Sequence, residues 1–349
     1  MRGERLAIQS IVDDTELHCA LESELCHFFG RKVEITKLDR RISEYCSSFI
    51  IEELDVTLGD GTELELIFKD LSKAALLTNA GQVKPSFIYN PLREVDTYRH
   101  VLSQHQLGTP MCYGAFVDPE ERLYWLFLER VPPVLLWQMG DLDFWNETAR
   151  WLAGMHSYLV RETEIRESQH IAHLIKYDER FYRRWIDRAV EFIREGDTSA
   201  GREAVAAIEW LAARYDRVID RLLSLPVTVI HGEFFASNIL LDVGADYFRI
   251  CPVDWEMAAV APGRVDLAGL TSGSWTTTQK NTMARAYYDA LPDSSPVKCG
   301  WRQFLIDLEY CRLHQAVQWL GWAPGWTPPP EHAQNWLKEA LRCAKRLML

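Results

Sequence analysis

Val229–Leu241, VIHGEFFASNILL, decides the fold when read with Ile250–Leu270, ICPVDWEMAAVAPGRVDLAGL. An apolar run ends in His231-Gly232 and is followed by the acid Glu233, four further residues and Asn238. A second run of strand character leads to Asp254. A carboxylate and an asparagine at this separation on a tight loop can face one pocket. A carboxylate at the end of an adjacent strand can enter the same pocket from its other side. Phosphoryl transfer needs this set of groups. One carboxylate receives or orients an acceptor hydroxyl, while an amide oxygen and a second carboxylate hold Mg²⁺ against nucleotide phosphates. Hard oxygen donors, few in number, suit that ion.

Together the two segments resemble the catalytic loop, H-G-D-x-x-x-x-N, and the metal-binding segment of aminoglycoside phosphotransferases, choline kinases and related small-molecule kinases. H-G in place of H-R, and D-W-E in place of D-F-G, point away from protein kinases. The resemblance implies an α+β, two-lobed protein-kinase-like fold. A nucleotide-binding lobe with a mixed β-sheet is expected over 1–130, and a mainly helical catalytic and acceptor-binding lobe over 131–349. It implies Glu233 as the catalytic carboxylate, Asn238 and Asp254 as metal ligands, and ATP (with GTP open) and Mg²⁺ as cofactors. Lys69, closing the strand-like run LELELIFK, is implied as the contact to the α and β phosphates. REVDTYRHVL looks like the family's helix that supplies a partner to that lysine, here Glu94. Ser47 and Ser48 stand in the stretch Arg41–Ser48 that takes the place of a glycine-rich phosphate cover. Glu129, at the start of the connection Glu129–Val131, is implied beside the adenine. His156 and His231 read as structural, and Asp266 either fixes the loop geometry, the favoured role, or helps the metal site.

Two departures accompany the resemblance. Glu233 stands where the family carries Asp, and its extra methylene moves the carboxylate by about one bond length, when misplacement of about 1 Å can cost ~100-fold in rate. Arg41–Ser48 contains no glycine, which restricts how closely the backbone approaches a phosphate. The leading expectation is a kinase moving the γ-phosphoryl group to a small-molecule hydroxyl. The alternative is a kinase-fold binding or scaffolding protein, a pseudokinase with weak or no catalysis.

Composition agrees with a soluble globular chain. Of 349 residues, 48% are hydrophobic and 25% charged, enough apolar content for more than one core. The 38 Lys and Arg against 50 Asp and Glu give a net charge of −12, which disfavours nucleic acid and anionic membranes as partners. A cationic or neutral small-molecule substrate is favoured. Eight cysteines with no C-x-x-C pair, and an N-terminus without an apolar leader, suggest free thiols and a cytoplasmic location.

Outward from the motifs, Asp13–Phe29 has helical apolar spacing. Phe49–Leu58 and Thr62–Lys69 form an expected hairpin around Gly59-Asp60-Gly61. Pro91–Gln104 reads as a helix, and Met111–Val117 with Arg122–Leu128 as two more strands. Arg130–Pro133 marks the change of character between lobes. Long helical patterns follow over Asp141–Val160, Tyr177–Arg194, Arg202–Ser224, Trp301–Trp319 and Glu331–Leu347. Trp275, Trp319, Trp322 and Trp326 are candidate walls for an acceptor.

Overall fold

The computed structural model describes residues 12–46, 48–103, 107–132, 134–164, 172–195, 201–244, 247–322 and 334–349. Ser47, Gln104, Pro133 and Trp326 lie outside them. The chain divides into two compact units, Met1–Gln82 with Asn90–Pro133, and Val83–Tyr89 with Val134–Leu349.

In the first unit, α1 (Asp14–Phe29) begins where the Asp13 carboxylate accepts the N–H groups of Thr15 and Glu16. It stops at Gly30, which takes the left-handed conformation that ends many helices. Three strands follow, β1 (Ile35–Ile42), β2 (Ile51–Leu58) and β3 (Glu63–Asp70). The β2–β3 turn is fixed by Asp60, whose side chain accepts from Thr62 N, and by Gly61 at φ +86. After the short helix α2 (Thr78–Val83) come α3 (Pro91–Asp96), β4 (Cys112–Asp118) and β5 (Leu123–Glu129). The strands make one antiparallel sheet in the order β1-β2-β3-β5-β4. Strict alternation along β2 sends Leu54, Val56 and Leu58 inward. There they meet Leu17, Leu21 and Leu25 of α1 and the aromatic rings of Phe68, Trp125 and Phe127.

The helix expected over Pro91–Gln104 starts as foreseen, with Asn90 capping Leu92 N. It leaves α geometry at Thr97, and Thr97–Leu102 forms a π-helical stretch. At that point the Arg93 carbonyl accepts from both the Thr97 hydroxyl and the Thr97 N–H.

The second unit is mainly helical. Its elements are α4 (Leu142–Glu164), β6 (Ile175–Lys176), α5 (Glu179–Glu195), α6 (Gly201–Ala212), α7 (Tyr215–Leu223), β7 (Thr228–Ile230), β8 (Ile239–Val243), β9 (Phe248–Pro252), β10 (Ala259–Ala261), α8 (Arg264–Leu270), α9 (Thr277–Ala290), α10 (Trp301–Gly321) and α11 (Trp336–Arg346). The single helix expected over Arg202–Ser224 is two, because the chain turns at Ala213-Arg214 to bury Tyr215, whose hydroxyl meets His314 Nδ1 at 3.1 Å. Helix α10 is buried around most of its circumference, charged Asp307, Glu309 and Arg312 included, and is packed by α5, α8 and α11. Two small sheets, β6-β10-β7 and the hairpin β8-β9, carry the loops on which Glu233, Asn238 and Asp254 lie.

Candidate active site

Lys69 lies near the end of β3, where both faces of the strand are covered and Phe68, Lys69 and Asp70 are all buried. Its ammonium donates to both carboxylate oxygens of Glu94 at 2.7 Å. Glu94 sits in the first turn of α3, where the helix dipole favours an acid. The side chains are only 5% and 2% exposed, so the pair is a desolvated one. Asp70 beside it is held above the usual carboxylate range by burial, against the pull of its bond from Ser72 N.

The glycine-free stretch is shorter as a loop than its sequence suggests. Arg41 and Ile42 belong to β1, and Arg41 is engaged by Glu53 and Asp55 across the sheet. The loop proper opens at Ser43, whose N–H donates to Ile51 O at 2.8 Å. Cys46 Sγ accepts from Ile51 N. Ser48 is anchored through its carbonyl, which accepts from Leu77 N. Glu129 ends β5 and exchanges bonds with Met111: its main-chain N–H donates to Met111 O, and its carboxylate accepts Met111 N–H.

In the second unit the loop after β7 is built from the backbone outward. The Asp266 carboxylate, at the start of α8, accepts the N–H of His231 at 2.7 Å and of Gly232 at 2.9 Å. Gly232 has φ +86, and a Cβ there would collide with the Met257 carbonyl oxygen, so no other residue fits without rearrangement. The His231 imidazole spans the loop, with Nε2 donating to Val253 O at 2.9 Å. Nδ1 is therefore the unprotonated nitrogen and accepts from Glu233 N. His231 and Asp266 are thus braces, in keeping with their structural reading.

Glu233, Asn238 and Asp254 come together. A 3₁₀ turn over Ala236–Asn238 brings the Asn238 amide back, and its Nδ2 donates to the Glu233 carbonyl at 3.1 Å. Asn238 O accepts from Val253 N, which ties the loop to the residue before Asp254. Asp254 itself takes a left-handed conformation, φ 68 and ψ 63, sparsely populated by non-glycine residues and concentrated at functional sites. The Glu233 carboxyl is pushed up to about 8, first by burial, then by the charges of Glu256 and Asp254, with Lys84 acting in the opposite sense.

Lys84 and Glu256 have no place in the sequence expectations. Glu256 follows Asp254 by two positions in VDWE, so the acid was visible there. Lys84 carried no signal, because its ion pair with Glu256 closes a separation of 172 residues. The segment bearing it is also held by Phe87, packed on Trp185 and covered by the Arg184 guanidinium.

The donor set fits Mg²⁺. With Nδ2 given to Glu233, the Asn238 amide oxygen is the atom left for a cation. The Asp254 carboxylate supplies a second hard oxygen, and the repulsion that raises Glu233 is relieved by positive charge. Among the described residues no group of three or more His, Cys, Asp or Glu side chains forms a cage for a metal. Mg²⁺ is usually held by one or two carboxylates together with substrate phosphates.

Near the loop, Phe235 packs on Trp319, and Trp319 stacks on Trp336 at 5.3 Å and 9°. Trp275 packs on Trp145, and Trp322 stacks on Trp185. No described helix is long and apolar enough to cross a membrane.

Comparison with solved structures supports the kinase-like fold expected from the sequence. Choline kinase from Cryptosporidium parvum Iowa II is 14% identical, with 89% of this chain and 90% of that chain covered and a TM-score of 0.58. A microcompartment-associated aminopropanol kinase is 16% identical over 89% of this chain and 93% of that one, with a TM-score of 0.56. The GDP complex of wild-type aminoglycoside 2'-phosphotransferase-IIIa is 11% identical over 94% and 97%, with a TM-score of 0.51. No curated protein matches the sequence significantly. The model of the phosphotransferase enzyme family matches residues 89–298, a span that takes in Glu94, the whole loop from His231 to Asn238, and Asp254. That match covers well over half of the chain and bears out the resemblance drawn from H-G-E and V-D-W-E: the protein belongs to the phosphotransferase enzyme family.

Proposed function

We propose that the protein transfers the γ-phosphoryl group of ATP to a hydroxyl of a small molecule, with Mg²⁺ as the required ion. The joint placement of Glu233, Asn238 and Asp254 carries this reading, since one loop and the turn after β9 bring a carboxylate base, an amide oxygen and a second carboxylate to one place. Asn238 and Asp254 would hold Mg²⁺, which supplies charge neutralisation on the phosphates when bound. Glu233 orients the acceptor hydroxyl and takes its proton as the oxygen attacks phosphorus and the bond to the β-phosphate oxygen breaks. Lys69, kept in place by Glu94, offsets charge on the α and β phosphates. Ser47, Ser48 and Glu129 remain candidates for contacts to the nucleotide. GTP is the alternative donor, and a GDP complex among the structural relatives gives that variant its support.

Phe235 and Trp336 are buried against Trp319, whose half-buried ring lies beside the loop that carries Glu233. That ring supports an acceptor whose non-reacting part is neutral and apolar, or cationic and attracted to the ring face. Amino alcohols, aminoglycosides, sugars and natural products meet that description. The free thiols of all eight cysteines accord with a reducing, cytoplasmic setting.

The non-catalytic reading has one observation in its favour: at neutral pH a carboxyl raised to about 8 holds its proton and is no base. Mg²⁺ at Asp254 lowers that value by offsetting the acids around Glu233, and so favours turnover. Incubation with labelled ATP, Mg²⁺ and a panel of small hydroxyl compounds separates the two. Labelled product from the wild type and none from Glu233→Gln supports the kinase. ATP binding without product from any acceptor or from added protein supports a scaffold.

A further inference from the structure

We propose that Tyr287 is a positioning residue for the loop that carries Glu233, acting through His156 and Asp266. The proposal deepens the reading of that loop as the catalytic one. Tyr287 lies on α9, far along the chain from the H-G-E motif, and no sequence pattern marks it.

The connection is a continuous chain of buried groups. The Tyr287 hydroxyl meets His156 Nδ1 at 2.9 Å, and His156 Nε2 meets Asp266 Oδ2 at 3.3 Å. The two Asp266 oxygens in turn accept the main-chain N–H groups of His231 and Gly232, the residues immediately before Glu233. All three side chains are fully or almost fully buried, so water does not substitute for a missing partner.

With His156 neutral, the hydrogen-bond inventory fixes the direction of every proton. An ionised carboxylate only accepts, so His156 Nε2 carries its proton toward Asp266. In the neutral ring Nδ1 then has a lone pair, and Tyr287 must be the donor. Burial pushes the Tyr287 phenol well above its ordinary value, which keeps that donor protonated at any working pH. The opposite tautomer would set the Nε2 lone pair against the Asp266 carboxylate. The Asp266 carboxylate thus sets the tautomer, and Tyr287, donating to Nδ1, completes the pairing of the buried ring that holds Asp266 and through it the loop.

The surroundings are shaped to the same end. A Cβ on Gly263, the residue before α8, would come within 2.6 Å of His156 Nδ1, so glycine makes room for the imidazole. The His156 carbonyl accepts from Thr228 Oγ1 at 3.0 Å, which ties the same residue to the start of β7, the strand that delivers the loop. The Tyr287 ring packs on Phe304, so phenylalanine at 287 keeps the packing and removes only the hydroxyl.

Tyr288 provides an internal control. Its hydroxyl donates to Cys299 O at 2.7 Å, a comparable bond on the same helix that does not reach His156 or the Asp266 carboxylate. The test compares Tyr287→Phe and Tyr288→Phe in the full chain. Without any substrate, ¹⁵N NMR of the wild type should show His156 as the neutral Nε2–H tautomer. In Tyr287→Phe the Nδ1 signal should shift as it loses its donor, and the amide protons of His231 and Gly232 should exchange at least about tenfold faster than in Tyr288→Phe. With a phosphoryl acceptor in hand, Tyr287→Phe should lower kcat by roughly 10- to 100-fold with KM for ATP nearly unchanged, as expected for a loop displaced by a fraction of an ångström. Tyr288→Phe should leave both constants unaltered. A wild-type His156 protonated at Nδ1, or equal amide exchange in the two variants, overturns the proposal. Neither readout requires turnover, so loss of the phosphotransferase reading would leave this result standing on its own.

Discussion

Asn238 donates its side-chain amide to the main-chain carbonyl of Glu233, at 3.1 Å. The residue proposed to offer an oxygen to Mg²⁺ thereby braces the residue proposed as the base. Substitution Asn238→Asp keeps an oxygen ligand but replaces the donor N–H with a second acceptor facing the Glu233 carbonyl. Turnover should fall by about 100-fold, the scale for a reacting group displaced by about 1 Å, while Mg²⁺ still promotes nucleotide binding. Steady-state kinetics with a Mg²⁺ titration checks this, and equal loss of metal response and turnover would contradict it.

The Lys69–Glu94 pair gives a prediction about stability. Both side chains are almost wholly buried, so Lys69→Met removes the buried cation facing the Glu94 carboxylate and should cost about 3–5 kcal/mol in denaturant unfolding. Replacing both partners, Lys69→Met with Glu94→Leu, should recover most of that loss because no isolated charge remains. Nucleotide affinity should stay low in the double variant. Recovered affinity together with recovered stability would remove Lys69 from the phosphate contact.

Glu233 makes stability depend on pH in a defined direction. Its carboxyl is held near 8 in the folded protein against an ordinary value of 4.5, so the folded state binds the proton more tightly. The stabilisation is complete below the unfolded value and is lost as pH rises from about 4.5 to about 8. Thermal melts of the ligand-free wild type should therefore decline over this window more steeply than those of Glu233→Gln. Added Mg²⁺ should flatten the wild-type curve by offsetting Glu256 and Asp254. Parallel curves for the two proteins would contradict the assignment.

Gly232 is the tightest backbone constraint in the loop. Alanine there combines a positive φ with a collision at the Met257 carbonyl. Strain alone is on the order of 1–3 kcal/mol, and the collision adds to it or forces the loop away from Asp266. Gly232→Ala should melt earlier than wild type and lose the protection of the His231 and Gly232 amides against exchange. A variant with wild-type melting and protection would mean the loop is looser than its bonds imply.

What was readable in the sequence had short-range causes. Asp13 before α1, Gly30 after it, the turn at Asp60 and the compact H-G-E and D-W-E motifs each depend on a few adjacent residues. What escaped depends on contacts far along the chain. Lys84 acquires its meaning only from Glu256, and the break between α6 and α7 comes from burying Tyr215 against His314. Helix α8 reads in sequence as the motif GRVDLA rather than as a helix. Seven residues are too few to show periodicity, and its Arg264 is buried under the Phe304 ring at 4.7 Å. The π-helical stretch that follows α3 at Thr97 is local, yet nothing in the apolar pattern distinguishes it.

Thermal unfolding tests whether Asp254 and Asn238 hold Mg²⁺ for a bound nucleotide without knowledge of the acceptor. Melting should be followed for the wild type with ATP alone and with ATP and Mg²⁺, and for Asp254→Asn with both. A ligand at about 100 times its dissociation constant adds roughly 2.7 kcal/mol, a shift that is easily seen. The account predicts a stabilisation by ATP that requires Mg²⁺ and is lost in Asp254→Asn. No stabilisation by ATP or GTP with Mg²⁺, or the same stabilisation in Asp254→Asn, would contradict it.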